Sequence, residues 1–78
     1  MAGRNRLPPY QLIAADIRSK ITSGELAPGD QVPSVPEICE AYGVSKGTAL
    51  RALGVLREEG LTEVQPGWGT FVSERRLS

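Results

Sequence analysis

A mainly α fold with a small β-hairpin is the class that this 78-residue sequence predicts, and three observations predict it. Apolar residues recur at helical spacing over 10–23 and again over 45–59, with a shorter stretch of the same kind between them. Each stretch ends on a glycine: Gly24, Gly43 and Gly60. Beyond Gly60 the period changes, and "LTEV" and "TFVS" form β-prone runs either side of the turn-rich "QPGWG".

The elements follow in order. Residues 1–8 carry Gly3, Arg4 and Arg6, run into the helix-stopping "PP", and read as a loose basic arm. In the first helix Tyr10, Ile13, Ala14, Ile17 and Ile21 share one face, with Asp16, Arg18, Ser19 and Lys20 on the others. Gly24 suits a left-handed cap. In the connector "ELAPGDQVP", Pro28 and Gly29 fit the centre of a type II turn, and Leu26 and Val32 can tuck under the domain. Ser34 is a good N-cap for a second helix, which tolerates Pro36 in its first turn. Glu37, three residues after Ser34, completes a capping box. Ile38 and Tyr42 are expected to form its buried stripe. Only Val44 separates Gly43 from the next N-cap, Ser45, and the third helix then carries Ala49, Ala52, Leu53 and Leu56 on one face. A hairpin over 62–73 closes a single domain of 9–73, leaving 74–78 as a tail.

Composition excludes several classes. A chain of this size buries roughly 60–65% of its unfolded surface. With 40% hydrophobic residues and only Tyr10, Tyr42, Trp68 and Phe71 as aromatics, its core must be aliphatic. The lone Cys39 excludes an intrachain disulfide, fits a reducing cytoplasm and reads as a small core residue. No apolar run is long enough for a bilayer and no signal-peptide core is present, so a cytoplasmic protein with no membrane partner is expected. There is no histidine, and one cysteine cannot build the usual zinc site. The glycines around Trp68 do not form a Walker-type loop, and Glu58 and Glu59 point apart on a helix. No catalytic residue, cofactor or metal is expected, and the chain does not read as an enzyme.

Nine Lys and Arg balance nine Asp and Glu, so the whole chain lacks the basic excess usual for nucleic-acid binding. The distribution is uneven. Lys46, Arg51 and Arg57 lie in 43–57, which holds no acid. Arg4 and Arg6 precede the helices and Arg75 and Arg76 follow the hairpin. Acids gather at Glu25, Asp30, Glu37 and Glu40, then at Glu58, Glu59 and Glu63. An ordinary mixed surface can show the same bias, so charge alone decides nothing.

A short helix, a tight glycine turn and a longer amphipathic helix make a helix-turn-helix, whose second helix enters the DNA major groove; the trailing hairpin makes it winged. This reading explains an oddity in "VSKGTALRAL". Lys46 opposes the helix dipole at a cost of roughly 0.3–1 kcal/mol, and Gly47 costs about 0.8–1 kcal/mol relative to alanine. Against DNA, free amides, the positive dipole end and the lysine all attract phosphate, while a glycine permits close approach. Gly47, Leu50, Arg51 and Gly54 lie on one face, opposite the apolar stripe. Arg51 is the expected base reader, Ser45 and Thr48 suit phosphate, Thr48 alternatively a base, and Leu50 suits a thymine methyl. The plainer alternative is a solvated Lys46 and Arg51 with Ser45 serving only as a cap. Trp68 at the hairpin tip either lies against DNA or packs back on its own domain or a neighbouring subunit, the more usual place for a tryptophan at a turn.

Three blocks in order carry a family resemblance: "YQLIAADIRSKITSGELAPGDQVPS", "GVSKGTALRALGVLREEGL" and "GWGTFV". Over about 9–72 the chain resembles the N-terminal winged helix-turn-helix domain of GntR-family bacterial transcription regulators. The resemblance implies recognition of operator DNA, usually as a dimer, by a domain fused to a C-terminal effector-sensing module; no effector-binding domain is expected within these 78 residues. Four positions depart from the family pattern. Pro36, Lys46 and Leu50 stand where arginines are common, and Trp68 where the wing carries an arginine or histidine. The expected interface comprises Ser34, Ser45, Lys46, Gly47, Thr48, Leu50, Arg51, Gly67, Trp68, Gly69 and Thr70. Its expected partner is a pseudo-palindromic duplex operator bound by two copies, with a homodimer possible. A winged-helix adapter that binds protein is the rival, because Pro36, Leu50 and Trp68 exchange charge for apolar surface.

Overall fold

The computed structural model describes residues 7–74, so the expectations for Arg4, Arg6, Arg75 and Arg76 lie outside the described residues. The elements are α1 (Pro9–Ser23), α2 (Val35–Tyr42), α3 (Lys46–Glu58), β1 (Thr62–Gln65) and β2 (Gly69–Val72). Local chemistry sets the helix ends. After α1, the Gly24 amide donates to the Ile21 carbonyl and the Leu26 amide to that of Lys20. Before α2 the capping box is complete: the Ser34 amide donates to Glu37 Oε1 (2.8 Å) and the Glu37 amide to Ser34 Oγ (3.3 Å). Gly43 caps α2 through its amide to the Cys39 carbonyl, and α3 begins three residues later.

The apolar face of α1, Ile13, Ala14, Ile17 and Ile21, packs on Ala49, Ala52 and Leu56 of α3, with Ile38, Val32 and Val72 completing the core. The two alanines, both fully buried, let α1 approach the α3 backbone closely. Each buried Ile or Leu contributes roughly 1.5–3 kcal/mol. Leu53 and Cys39 are half-buried and pack against this core rather than within it. On the surface Arg18 of α1 grips Glu59 with two bonds, Nε to Oε1 (2.9 Å) and Nη2 to Oε2 (2.8 Å). Both side chains are over a third exposed, so the pair contributes about 0–1 kcal/mol.

Tyr42 departs from the expected stripe. It is 38% exposed, because its hydroxyl cannot enter an aliphatic core without a partner and instead donates to the Asp16 carboxylate at the rim of α1. Partial burial first, then that hydrogen bond, pushes its phenol up to about 12.

The hairpin pairs Thr62 with Val72, Glu63 with Phe71, Val64 with Thr70 and Gln65 with Gly69. Ser73, expected inside the second strand, lies just after it and donates from Oγ to Glu63 Oε2 (2.9 Å). The connector also joins the wing, which its loop-like sequence did not announce. Gln31 bridges Phe71, the Val32 amide donates to the Thr70 carbonyl and the Val72 amide to that of Asp30, both at 2.8 Å. The predicted turn sets this strap: Asp30 N–H donates to the Ala27 carbonyl across Pro28-Gly29 (2.9 Å).

Candidate nucleic-acid interface

The amino end of α3 is open. Ser45 is extended (φ −76°, ψ 164°), and its Oγ accepts from the Thr48 amide at 3.3 Å. The first rung of the helix runs from the Ala49 amide to the Ser45 carbonyl, so the Lys46 and Gly47 amides precede the ladder. Ser45, Lys46 and Gly47 are exposed, Thr48 is half-buried, and the first turn carries no acid. The Ser45 hydroxyl donates to Thr48 Oγ1 (3.2 Å), so this end keeps its dipole, a lysine and the Thr48 hydroxyl proton available to an anion.

Pro9 and Tyr10, at the start of α1, join Ser45, Gly47, Thr48 and Arg51 to line one open groove. None of the six is acidic. The Arg51 guanidinium lies over the Tyr10 ring, its Cζ 4.3 Å from the centroid. Spacing placed Tyr10 only in the apolar stripe of α1; nothing local signals its second contact, which joins two distant helices.

Leu50, on the same helix, is 51% exposed. A Cβ at Gly47 would meet nothing nearer than Ser45 Oγ at 4.0 Å, and one at Gly54 nothing within 4 Å. Intrachain packing therefore does not require either glycine. Ser34 sits at the head of α2, half-buried, with its oxygen committed to the capping box but its proton still available.

The wing residues do not line that groove. The Trp68 amide donates to the Gln65 carbonyl (2.8 Å), closing a turn with Pro66 and Gly67 at its centre, and Gly67 has the positive φ (+83°) of a type II turn. Gly69 is also left-handed (φ +123°), and a Cβ there would lie 2.7 Å from Gln31 Nε2. The fold itself thus accounts for both glycines. Thr70 is half-buried and its carbonyl receives the strap. Trp68 does not pack back on its own domain, as a tryptophan at a turn usually would: its amide is held by Gln65 and its carbonyl by Gln31 Nε2 at 3.3 Å, while the residue stays 76% exposed. A second groove, around Trp68 and Phe71, includes Glu63 and Glu74, and two carboxylates make it a poor seat for a polyanion.

Among the described residues no cluster of three or more His, Cys, Asp or Glu could hold a metal ion, and no helix is long and apolar enough to cross a membrane.

Known proteins share this fold. The model of the family described as bacterial regulatory proteins, gntR family, matches residues 9–72. The mannosyl-D-glycerate transport/metabolism system repressor MngR of Escherichia coli (strain K12) is 41% identical over 71 residues, which is 91% of this chain and 30% of that protein. The HTH-type transcriptional repressor NagR of Bacillus subtilis (strain 168) is 38% identical over 71 residues, 91% of this chain and 29% of that one. The chain thus spans under a third of the length of these two relatives. Among solved structures, AraR(DBD) in complex with operator ORR3 matches with a TM-score of 0.82 at 36% identity, covering 86% of this chain and 81% of that one. A GntR family transcriptional regulator from Listeria monocytogenes matches at 0.84 with 28% identity, over 92% of this chain and 63% of that one.

Proposed function

Because the chain belongs to the GntR family of bacterial regulatory proteins, we propose that it is a sequence-specific DNA-binding module of a transcription regulator, with α3 in the major groove and the 62–73 hairpin as the flanking wing. The observation that carries this reading is the accessible, acid-free amino end of α3. The similarity to a DNA-binding domain solved on its operator supports it.

The residues divide by chemistry. Lys46 supplies a point charge to phosphate, and Ser34 and Thr48 supply hydroxyl donors, while Ser45, whose hydroxyl donates to Thr48 Oγ1 (3.2 Å), holds the Thr48 hydroxyl in place. Arg51 supplies a planar fork that suits phosphate or guanine. Leu50 offers an apolar contact for a thymine methyl, and Gly47 and Gly54 let the helix backbone approach the base edges. On the wing, Gly67 and Gly69 leave the tip without side chains on either side of Trp68, which offers an aromatic face, and Thr70 follows them in β2. One copy carries few cations, so two copies act together on a pseudo-palindrome, with half-site centres about 34–36 Å apart if the helices enter successive turns on one face. The module works in the cytoplasm, as a homodimer when bound, and catalyses no reaction.

Selection from a random duplex pool followed by a salt titration tests this. Log affinity is expected to fall linearly with log salt, with a slope of about −0.9 per phosphate contacted. Lys46→Ala is expected to weaken all duplexes alike and to reduce that slope by about 1. Absence of an enriched sequence, or affinity indifferent to salt, would defeat the proposal. The exposure of Leu50 (51%) and Trp68 (76%) favours a protein-binding adapter as the second reading, and salt-insensitive capture of a protein partner is its signature.

A further inference from the structure

We infer that Tyr10 is a positioning residue for DNA recognition: its ring holds the Arg51 guanidinium at the junction of α1 and α3 before DNA arrives. The inference rests on the DNA-binding reading above and assigns a role to a residue that the spacing placed only in the core stripe.

The geometry has three parts. First, the Arg51 Cζ lies 4.3 Å from the Tyr10 centroid, well inside the roughly 6 Å over which a ring face attracts a cation. Second, Tyr10 is itself held: it packs on the core cluster, and its hydroxyl accepts from Gln11 Nε2 at 3.1 Å. Third, the pair lines the same groove as Ser45, Gly47 and Thr48, so the guanidinium is stationed beside the α3 amino end. Successive helical residues are about 100° apart, so Leu50 and Arg51 stand at opposite edges of the face they share, with Arg51 at the edge next to α1. The ring fixes which of the surfaces within reach of its long side chain the guanidinium occupies.

An unrestrained arginine loses rotamer freedom when it binds, whereas one already stationed loses less. The face contact leaves the edge N–H donors of the guanidinium available to an acceptor. Losing the ring face is therefore expected to weaken binding about two- to five-fold, which is about 0.5–1 kcal/mol at 1.4 kcal/mol per tenfold.

The test is a double-mutant cycle on the duplex recovered by selection, using wild type, Tyr10→Phe, Tyr10→Leu, Arg51→Ala and the Tyr10→Leu/Arg51→Ala pair, each shown to be folded by thermal melting. Tyr10→Phe keeps the ring and should bind like wild type. Tyr10→Leu should show the two- to five-fold loss, and that loss should vanish in the Arg51→Ala background. Tyr10→Met, apolar but without a ring, replaces leucine if leucine disturbs packing. NMR of the free protein supplies a readout that does not depend on DNA: Arg51 Hδ protons should be ring-shifted upfield in wild type and Tyr10→Phe, and not in Tyr10→Leu. Equal losses with and without Arg51, tighter binding by Tyr10→Leu, or unshifted Arg51 protons in wild type each overturn the inference. If wild type binds no duplex at all, the DNA reading itself fails, which is a different result from duplex binding that is indifferent to Tyr10.

Discussion

The helix α3 and the wing each carry two glycines, Gly47 and Gly54 in one, Gly67 and Gly69 in the other, and they are glycines for different reasons. In the wing the backbone is left-handed at both positions, and at Gly69 a side chain would also strike Gln31. In α3 neither glycine has positive φ, and there is open space where a Cβ would stand. The wing glycines are required by the fold. The helix glycines lower its stability, which makes sense if their benefit is realised only when another surface docks. A glycine in a binding module therefore points to a partner only after its own backbone and neighbours have been checked.

Three measurements would break or sharpen that contrast. The largest effect belongs to Gly69→Ala, which places a side chain at φ +123° and should destabilise the domain by about 1–3 kcal/mol in thermal or denaturant melts. A neutral result would remove the wing half of the comparison. Gly47→Ala is smaller and opposite in sign. It should raise stability by up to about 0.8–1 kcal/mol while weakening duplex binding, and a gain in both would remove the helix half. The smallest effect concerns the tie between α2 and α1. Tyr42 has its phenol raised to about 12 in the fold, against about 10 for a free tyrosine. A raised phenol contributes stability that is complete below pH 10 and is lost as pH climbs through 12. The unfolding midpoint of wild type should therefore fall more steeply across that window than that of Tyr42→Phe. Parallel curves would mean that the Asp16 bond adds nothing to the helical body.

Much of this architecture was legible from residues alone, because its cues are local. The α1 stripe, the Ser34 capping box, the Ser45 cap and the Pro28-Gly29 turn each depend on residues within a few positions of one another. What escaped reading was tertiary. The strap from Asp30 to Val32 pairs with β2 through a single bridge flanked by backbone bonds, and nothing in a proline-and-glycine connector advertises a strand partner. The Tyr10–Arg51 contact joins two helices through one ring face. Tyr42 shows the opposite failure: its spacing from Ile38 is right for a stripe, yet a phenol with an unsatisfied hydroxyl belongs at the rim. At Trp68 only packing on its own domain is ruled out, since the residue is exposed at the tip. In the candidate site, the helix entrance could be anticipated from Lys46 and Gly47, whereas the groove that α1 completes could not.

The strap also bears on the order in which the molecule assembles. Bridging Gln31 to Phe71 closes about 40 residues of chain, and that closure brings reward only once the intervening helices have docked. The hairpin can zip early, but its outer seam must wait for α2 and α3. Amide exchange at Val32 and Val72 should consequently report opening of the whole body rather than fraying of the tip, even though the loop beside them looks peripheral.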